Sequence, residues 1–140
     1  MNYWIFQSVP SHYDLREKNN FSTGKDAWWY ATRYRKKMNV GDTVYFWMGG
    51  DETIRGIYGV GKITSLPYEK DGNFNIDIHV DYRLPKHISV NRIKEESVLN
   101  NLMILKIAIG SNFLINTKEG LTIAKIVDFY KEKEGLQDAK

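Results

Sequence analysis

Cysteine is absent from the 140 residues of this chain, which removes disulfides, thiolate metal sites and cysteine nucleophiles together. Histidine is scarce: His12, His79 and His87 are the three, and no two stand at a metal-ligand spacing such as H-x-x-x-H. No apolar run approaches the ~20 residues that cross a bilayer as a helix. The first ten residues, M-N-Y-W-I-F-Q-S-V-P, have neither the basic flank nor the apolar stretch of a secretion signal. A soluble cytoplasmic protein with no membrane partner is the expectation. Neither sign of charge dominates: 20 Lys and Arg stand against 17 Asp and Glu, for a net charge of +3. Such mild basicity suits nucleic acid without requiring it.

The motifs of common catalysts are missing too. There is no G-x-S-x-G elbow and no G-K-[ST] phosphate loop. Gly56, Gly59 and Gly61 do not follow the dinucleotide pattern G-x-G-x-x-G. His79 stands between Asp77 and Asp81, as a base held by a carboxylate would, but a solvent-facing ladder on a strand's polar face is the simpler reading. His12 with Asp14 reads as a loop pair, and His87 as surface. An enzyme would have to draw on His79 or Asp42. No catalytic residue, cofactor or metal is therefore expected.

What is present is aromatic. Hydrophobic residues make up 42% of the chain, enough for the core of one domain. Aromatics are high at 14%, with nine tyrosines and four tryptophans. Three of the tryptophans, Trp28, Trp29 and Trp47, fall between Ala27 and Met48, alongside the basic run Arg33, Arg35, Lys36 and Lys37. Aromatic faces beside cations can stack bases and hold a phosphate backbone. The same composition also describes a core edge next to a solvated surface.

Tyr3–Gln7 reads as a buried first strand, and Ser11 as the cap of a short helix. Residues 27–38 read as a turn or short helix. If extended instead, Trp28 and Trp29 point to opposite sides, one inward and one toward solvent or a cavity. Thr43–Met48 alternates: Val44, Phe46 and Met48 share one face, while Tyr45 and Trp47 lie on the other and need cover from a helix or a ligand. Gly49-Gly50-Asp51 forms a hairpin turn into a strand over 54–64. Gly59 and Gly61 leave one face of that strand bare, so that a ring, a backbone or a ligand can approach. Phe74–Leu84 alternates without interruption, its even-numbered residues on the buried face. Residues 89–101 read as helix or irregular turn, and Met103–Ile109 as a strand. Asn116 with Glu119 resembles a capping box. It opens a helix to about Tyr130 that buries Ile123, Ala124, Val127 and Tyr130. Together these make one small α+β domain over 1–132, mostly antiparallel and barrel-like, with a charged, frayed tail at 133–140.

Several of these segments resemble one family. Y-W-I-F-Q, W-W-Y before the basic run, V-G-D-T-V-Y-F-W, I-R-G-I-Y-G-V-G-K-I and G-S-N-F are similar to the EVE domain, a PUA-like fold related to YTH domains. I-D-I-H-V-D-Y-R-L resembles a strand of EVE modules joined to modification-dependent restriction enzymes. The resemblance implies a mixed, mostly antiparallel PUA-like β-barrel with flanking helices. It implies a non-catalytic reader that holds a flipped, modified base between aromatic rings, with a separate nuclease or ATPase supplying any chemistry. Carried over by position, the pocket would draw on Trp28 or Trp29, Trp47, Gly110, Ser111 and Asn112. Lys25, Arg33, Arg35, Lys36 and Lys37 would meet the nucleic-acid backbone. The loop after the glycine-rich strand offers only Tyr68 where YTH readers carry a cage tryptophan. That departure favours a modified cytosine or another modified base over methyladenine, and DNA is expected before RNA. A small-molecule or protein-binding module on the same fold is the rival reading.

Overall fold

The Gly-Asp pair after the basic run organises the start of the sheet. In the computed structural model, which describes residues 1–107 and 109–138 with side chains through 133, Asp42 is 1% exposed. Its carboxylate accepts from the backbone N–H groups of Asn2 and Asn39 and from the Trp4 indole, each at 3.0 Å. A buried carboxylate needs such partners, and these three pin the chain start beside the strand that follows Asp42. Asp42 is thereby committed to structure.

Seven strands result among the described residues: β1 (Tyr3–Ser8), β2 (Asp26–Tyr30), β3 (Thr43–Met48), β4 (Gly56–Ile63), β5 (Tyr68–Lys70), β6 (Asn73–Ser89) and β7 (Asn112–Ile115). They form one curled sheet in the order β2-β6-β4-β3-β1-β7, with β5 added to β6. The β1–β3 pair is parallel, and the other pairings are antiparallel. The mixed, mostly antiparallel architecture expected from the sequence is present as a half-barrel with helices α1 (Val90–Lys94), α2 (Met103–Lys106) and α3 (Thr117–Asp138).

Curling depends on β4. A Cβ on Gly61 would lie 2.0 Å from the His79 carbonyl oxygen and 2.8 Å from the Phe46 ring. One on Gly59 would lie 2.7 Å from the Tyr82 carbonyl and 2.8 Å from the Phe21 ring. The bare face does admit rings, but they are core rings: Phe21 and Phe46 meet edge to face at 5.2 Å.

The sheet has two apolar sides. Tyr45, Trp47, Ile57, Leu84, Ile123 and Val127 belong to the side that α3 covers. Trp4, Phe6, Phe21, Trp29, Phe46 and Val80 belong to the other, which is covered by the turns between β1 and β2. The uninterrupted alternation expected along β6 breaks at a bulge. Tyr82 pairs with Val60 and Val80 with Gly61, leaving Asp81 as an extra residue. Ile76, Ile78 and Val80 therefore serve one core side, and Leu84 and Ile88 the other.

Other expectations need correction. Residues 27–38 are not a helix: W-W-Y lies in β2, paired with Asn75–His79, and only Arg35–Lys37 makes a 3₁₀ turn. Bulky aromatic residues favour a strand once a partner is at hand. Ser11 caps no helix, because residues 10–12 form turns. Met103–Ile109 forms no strand: both edges of β1 are already taken by β3 and β7. Met103–Lys106 instead makes a helical turn that buries Ile104, and Ala108 lies outside the described residues. The Asn116–Glu119 box does form, with reciprocal bonds of 2.9 and 2.8 Å. Its helix buries Ile126 beside Ile123 and Val127. It continues to Asp138, since Lys and Glu sustain a helix well. Residues 139–140 lie outside the described residues.

Candidate functional site

β2 and β7 are the two ends of the sheet, and a side chain rather than a strand ladder joins them. Asn112 is 1% exposed. Its Oδ1 accepts from the Thr32 backbone N–H at 2.8 Å and the Thr32 hydroxyl at 3.3 Å, and its Nδ2 donates to the Tyr30 carbonyl at 2.9 Å. Beside this seam opens a cavity of about 750 Å³, within the size range of small-ligand sites.

Its walls come from three places. β2 supplies Ala27, Trp28, Trp29 and Tyr30; the end of β1 and the turn after it supply Gln7, Ser8, Val9, His12 and Tyr13; the approach to β7 supplies Ile109, Gly110 and Ser111. Strand alternation separates the two tryptophans as the extended reading required. Trp29 is 6% exposed and Trp28 is 52% exposed. Both nevertheless border the cavity, because β2 is an edge strand. Two perpendicular ring pairs result: Trp28 with Tyr30 at 5.2 Å and 86°, and Tyr13 with Trp29 at 5.6 Å and 75°. The Trp29 indole is fixed by donating to the Gln7 carbonyl at 3.0 Å.

The polar rim is also held in place. The Gln7 backbone N–H donates to the Ser111 carbonyl at 2.8 Å, and its Nε2 to the Gly110 carbonyl at 2.7 Å. The Ser8 hydroxyl donates to the Tyr13 carbonyl at 2.7 Å. Burial raises the Tyr13 phenol above its ordinary pKa, and its hydroxyl donates to the Asn20 carbonyl. Tyr13 thus brings the cavity a ring and no charge.

Four expected pocket residues line this cavity: Trp28, Trp29, Gly110 and Ser111. Three do not. Trp47 is fully buried on the α3 side of the sheet, so it cannot face Trp28 or Trp29 across one gap. The cover its face needed comes from protein. Tyr45 beside it donates its hydroxyl to the Gly120 carbonyl of α3 at 2.9 Å. Tyr68 sits on β5 and donates to Asp77 at 2.6 Å. The Asn112 amide is occupied by the seam. Tyr13, Tyr30, Gln7 and Ser8 line the cavity without having been expected there. Tyr30 completes W-W-Y and Gln7 ends Y-W-I-F-Q, so both were visible in the motifs; Tyr13 lies in a turn with no periodicity to mark it.

The basic run starts at the seam. The side chains of Arg33, Arg35, Lys36 and Lys37 are exposed. The Arg35 guanidinium lies 4.0 Å over the Phe74 ring, and the Lys37 ammonium 5.9 Å from the Tyr34 ring. Lys25, before β2, donates to the Asn19 carbonyl. His79 takes its carboxylate from across the ladder, with Nδ1 2.7 Å from Asp26 Oδ1 on the surface. Among the described residues no group of three or more His, Asp or Glu is placed to hold a metal ion.

A family model for the EVE domain matches residues 2–126. This chain belongs to the EVE domain family. Solved structures share its fold at low identity. A hypothetical protein from Leishmania major superposes with a TM-score of 0.72 at 18% identity, over 96% of this chain and 97% of that one. Atu2648 from Agrobacterium tumefaciens gives 0.69 at 18%, over 90% and 92%. Human THYN1, solved in complex with DNA containing 5-methylcytosine, gives 0.70 at 14%, over 90% and 97%. No curated protein matches the chain. The cavity of this EVE domain has aromatic rings on two sides, carbonyl and hydroxyl groups between them, and cations outside.

Proposed function

We propose that the cavity receives a modified base turned out of nucleic acid, with modified cytosine in DNA as first choice, and that the domain reads the base without transforming it. The observation that carries this reading is the pair of perpendicular aromatic couples around one cavity, in a domain whose structural relative THYN1 was solved with 5-methylcytosine DNA. A flat ring entering the cavity can stack on one member of a couple and meet the other edge-on. Ser8, Gln7 and Ser111 supply the polar groups that a base edge requires.

Magnitudes constrain how this works. Turning a base out costs a few kcal/mol, and stacking on an aromatic side chain returns about 1–3 kcal/mol. One ring therefore does not suffice. A second ring or the phosphate contacts of Arg33, Lys36 and Lys37 must contribute. Burying one methyl group adds about 0.8 kcal/mol, which is a preference of about fourfold for the methylated base. Any catalysis on the marked nucleic acid would come from a separate nuclease or ATPase.

The test is fluorescence anisotropy with oligonucleotides carrying 5-methylcytosine, 5-hydroxymethylcytosine or cytosine. A preference of about fourfold or more for one modified base is expected. Trp28→Ala should weaken that binding by about 5- to 150-fold, the value of one lost stacking contact. Equal affinity for all three oligonucleotides overturns the reading. A rise in melting temperature with free nucleosides, and none with any oligonucleotide, would assign the cavity to a small molecule instead.

A further inference from the structure

An asparagine amide carries one acceptor oxygen and an N–H donor in the same arrangement as a peptide group. Asn112 presents both to the open edge just beyond β2. It donates to Tyr30 O at 2.9 Å and accepts from Thr32 N at 2.8 Å. Those are the groups with which another strand would pair. The Asn112 backbone meanwhile lies in β7, opposite Phe6 of β1. One side chain therefore forms a single peptide-like rung between the two ends of a sheet that has no ladder there.

The cavity walls flank this rung on both sides. Trp28, Trp29 and Tyr30 precede Thr32 on one side of the seam with only Ala31 between, and Gly110 and Ser111 immediately precede Asn112 on the other. The Trp29 indole bond to the Gln7 carbonyl ties β2 to β1 at a second point, and the Ala31 N–H holds the chain to β6 through the Phe74 carbonyl at 2.9 Å, but neither bond reaches β7, which Asn112 does at Tyr30 and Thr32. We propose that Asn112 is the positioning residue of the cavity: its amide fixes the separation of the aromatic wall from the Gly110–Ser111 wall, and does not itself touch the base. In its binding arm this rests on the reader function proposed above; in its structural arm it does not.

The test uses the full chain with Asn112→Ala and Asn112→Asp. The aspartate keeps an acceptor for Thr32 but sets a carboxylate oxygen against the Tyr30 carbonyl, so it preserves half of the rung. Amide hydrogen exchange should rise at least tenfold at Thr32 in Asn112→Ala and much less in Asn112→Asp. The amides of Phe46 and Trp47 in β3 should stay unchanged in both. Acrylamide quenching offers a second readout. Trp4, Trp29 and Trp47 are sealed in the wild type and Trp28 is the accessible indole, so opening the seam in Asn112→Ala should add Trp29 to the quenched fraction. Affinity for the preferred modified oligonucleotide should fall at least tenfold in Asn112→Ala, with a smaller loss in Asn112→Asp.

Unchanged exchange at Thr32 in Asn112→Ala overturns the proposal. So does a rise of equal size across β3 in both variants, which would make Asn112 a general stabiliser. Equal oligonucleotide affinity in wild type and Asn112→Ala also overturns it. A wild type that prefers no modified base overturns the reader function alone, and exchange at Thr32 then decides whether the amide holds the wall.

Discussion

Trp29 and Trp47 are both nearly sealed from solvent, at 6% and 0% exposure, yet only one borders a cavity. The difference lies in what covers each face of the sheet. Trp47 lies beneath α3, whose Ile123, Ile126 and Val127 recur at helical spacing and fill the face they meet. Trp29 lies beneath turns, where Tyr13, Leu15 and Phe21 arrive singly. A helix can close a sheet face continuously. A string of turns must also satisfy its own backbone polar groups, and here it leaves a hollow at the seam. The same residue type is filler on one face and wall on the other.

The largest effect that would sharpen this contrast is on Trp47. Trp47→Ala should cost about 3–5 kcal/mol of stability, much of the 5–15 kcal/mol that holds a typical domain. Urea unfolding would read it as a fall in midpoint at unchanged slope. In the fraction that stays folded, affinity for the preferred oligonucleotide should equal that of wild type, since Trp47 does not line the cavity. A specific loss of binding would return Trp47 to the site.

Next comes Gly120, where α3 approaches β1. A Cβ there would lie 2.3–2.7 Å from the first ring atoms of Tyr3, near the stem of the side chain, which cannot swing aside cheaply. Alanine gains about 1 kcal/mol of helix propensity over glycine. Lifting the helix off the sheet should outweigh that, for a net loss of about 1–3 kcal/mol by thermal or urea unfolding. A stabilised Gly120→Ala would mean that the helix-covered face is looser than the contrast requires.

Trp28 tests the other face. It is half exposed, so Trp28→Ala should change stability by no more than about 0.5 kcal/mol, although it is expected to weaken binding. Stability without binding at Trp28, and binding without stability at Trp47, would separate wall from filler.

The sequence carried this contrast only in part. Alternation in β3 placed Val44, Phe46 and Met48 against Tyr45 and Trp47 correctly, because side-chain direction along a strand is local. It could not say which face a helix would cover, because that depends on where residues 117–138 pack. Resemblance named Trp28, Trp29, Gly110 and Ser111, which line one cavity, since motifs survive as short strings. It could not show that the Asn112 amide turns back on Tyr30 and Thr32, a contact across 80 and more residues. The β6 bulge was equally hidden: Asp81 looks like any polar residue in an alternating strand, and only its pairing with β4 marks it as extra.

The smallest expected effect is also the one that separates the faces by pH. His87 stacks on Tyr58 at 4.7 Å and 4°, and Tyr58 belongs to the turn-covered side. Burial, with a lesser contribution from Lys86, holds the His87 imidazole below its ordinary pKa. The unfolded chain therefore binds a proton more readily than the folded one, so stability is retained above the unfolded pKa of about 6.5 and lost as pH falls below it. On the helix-covered side, burial raises the Tyr45 phenol well above its usual value. That group costs stability only as pH climbs past about 10. Mild acid should thus act on the turn-covered face alone, whereas alkali reaches both, because burial also raises the Tyr13 and Tyr58 phenols of the turn-covered side. Melting temperatures at pH 7 and pH 5 would check the acid side. His87→Phe keeps a ring on Tyr58 and removes the titration, so it should lose less between those two values than wild type. Asp14, held below the usual carboxylate range by its bond to Arg16, titrates below this window and leaves the comparison intact. An equal fall in both proteins would show that His87 is not what acid reaches first.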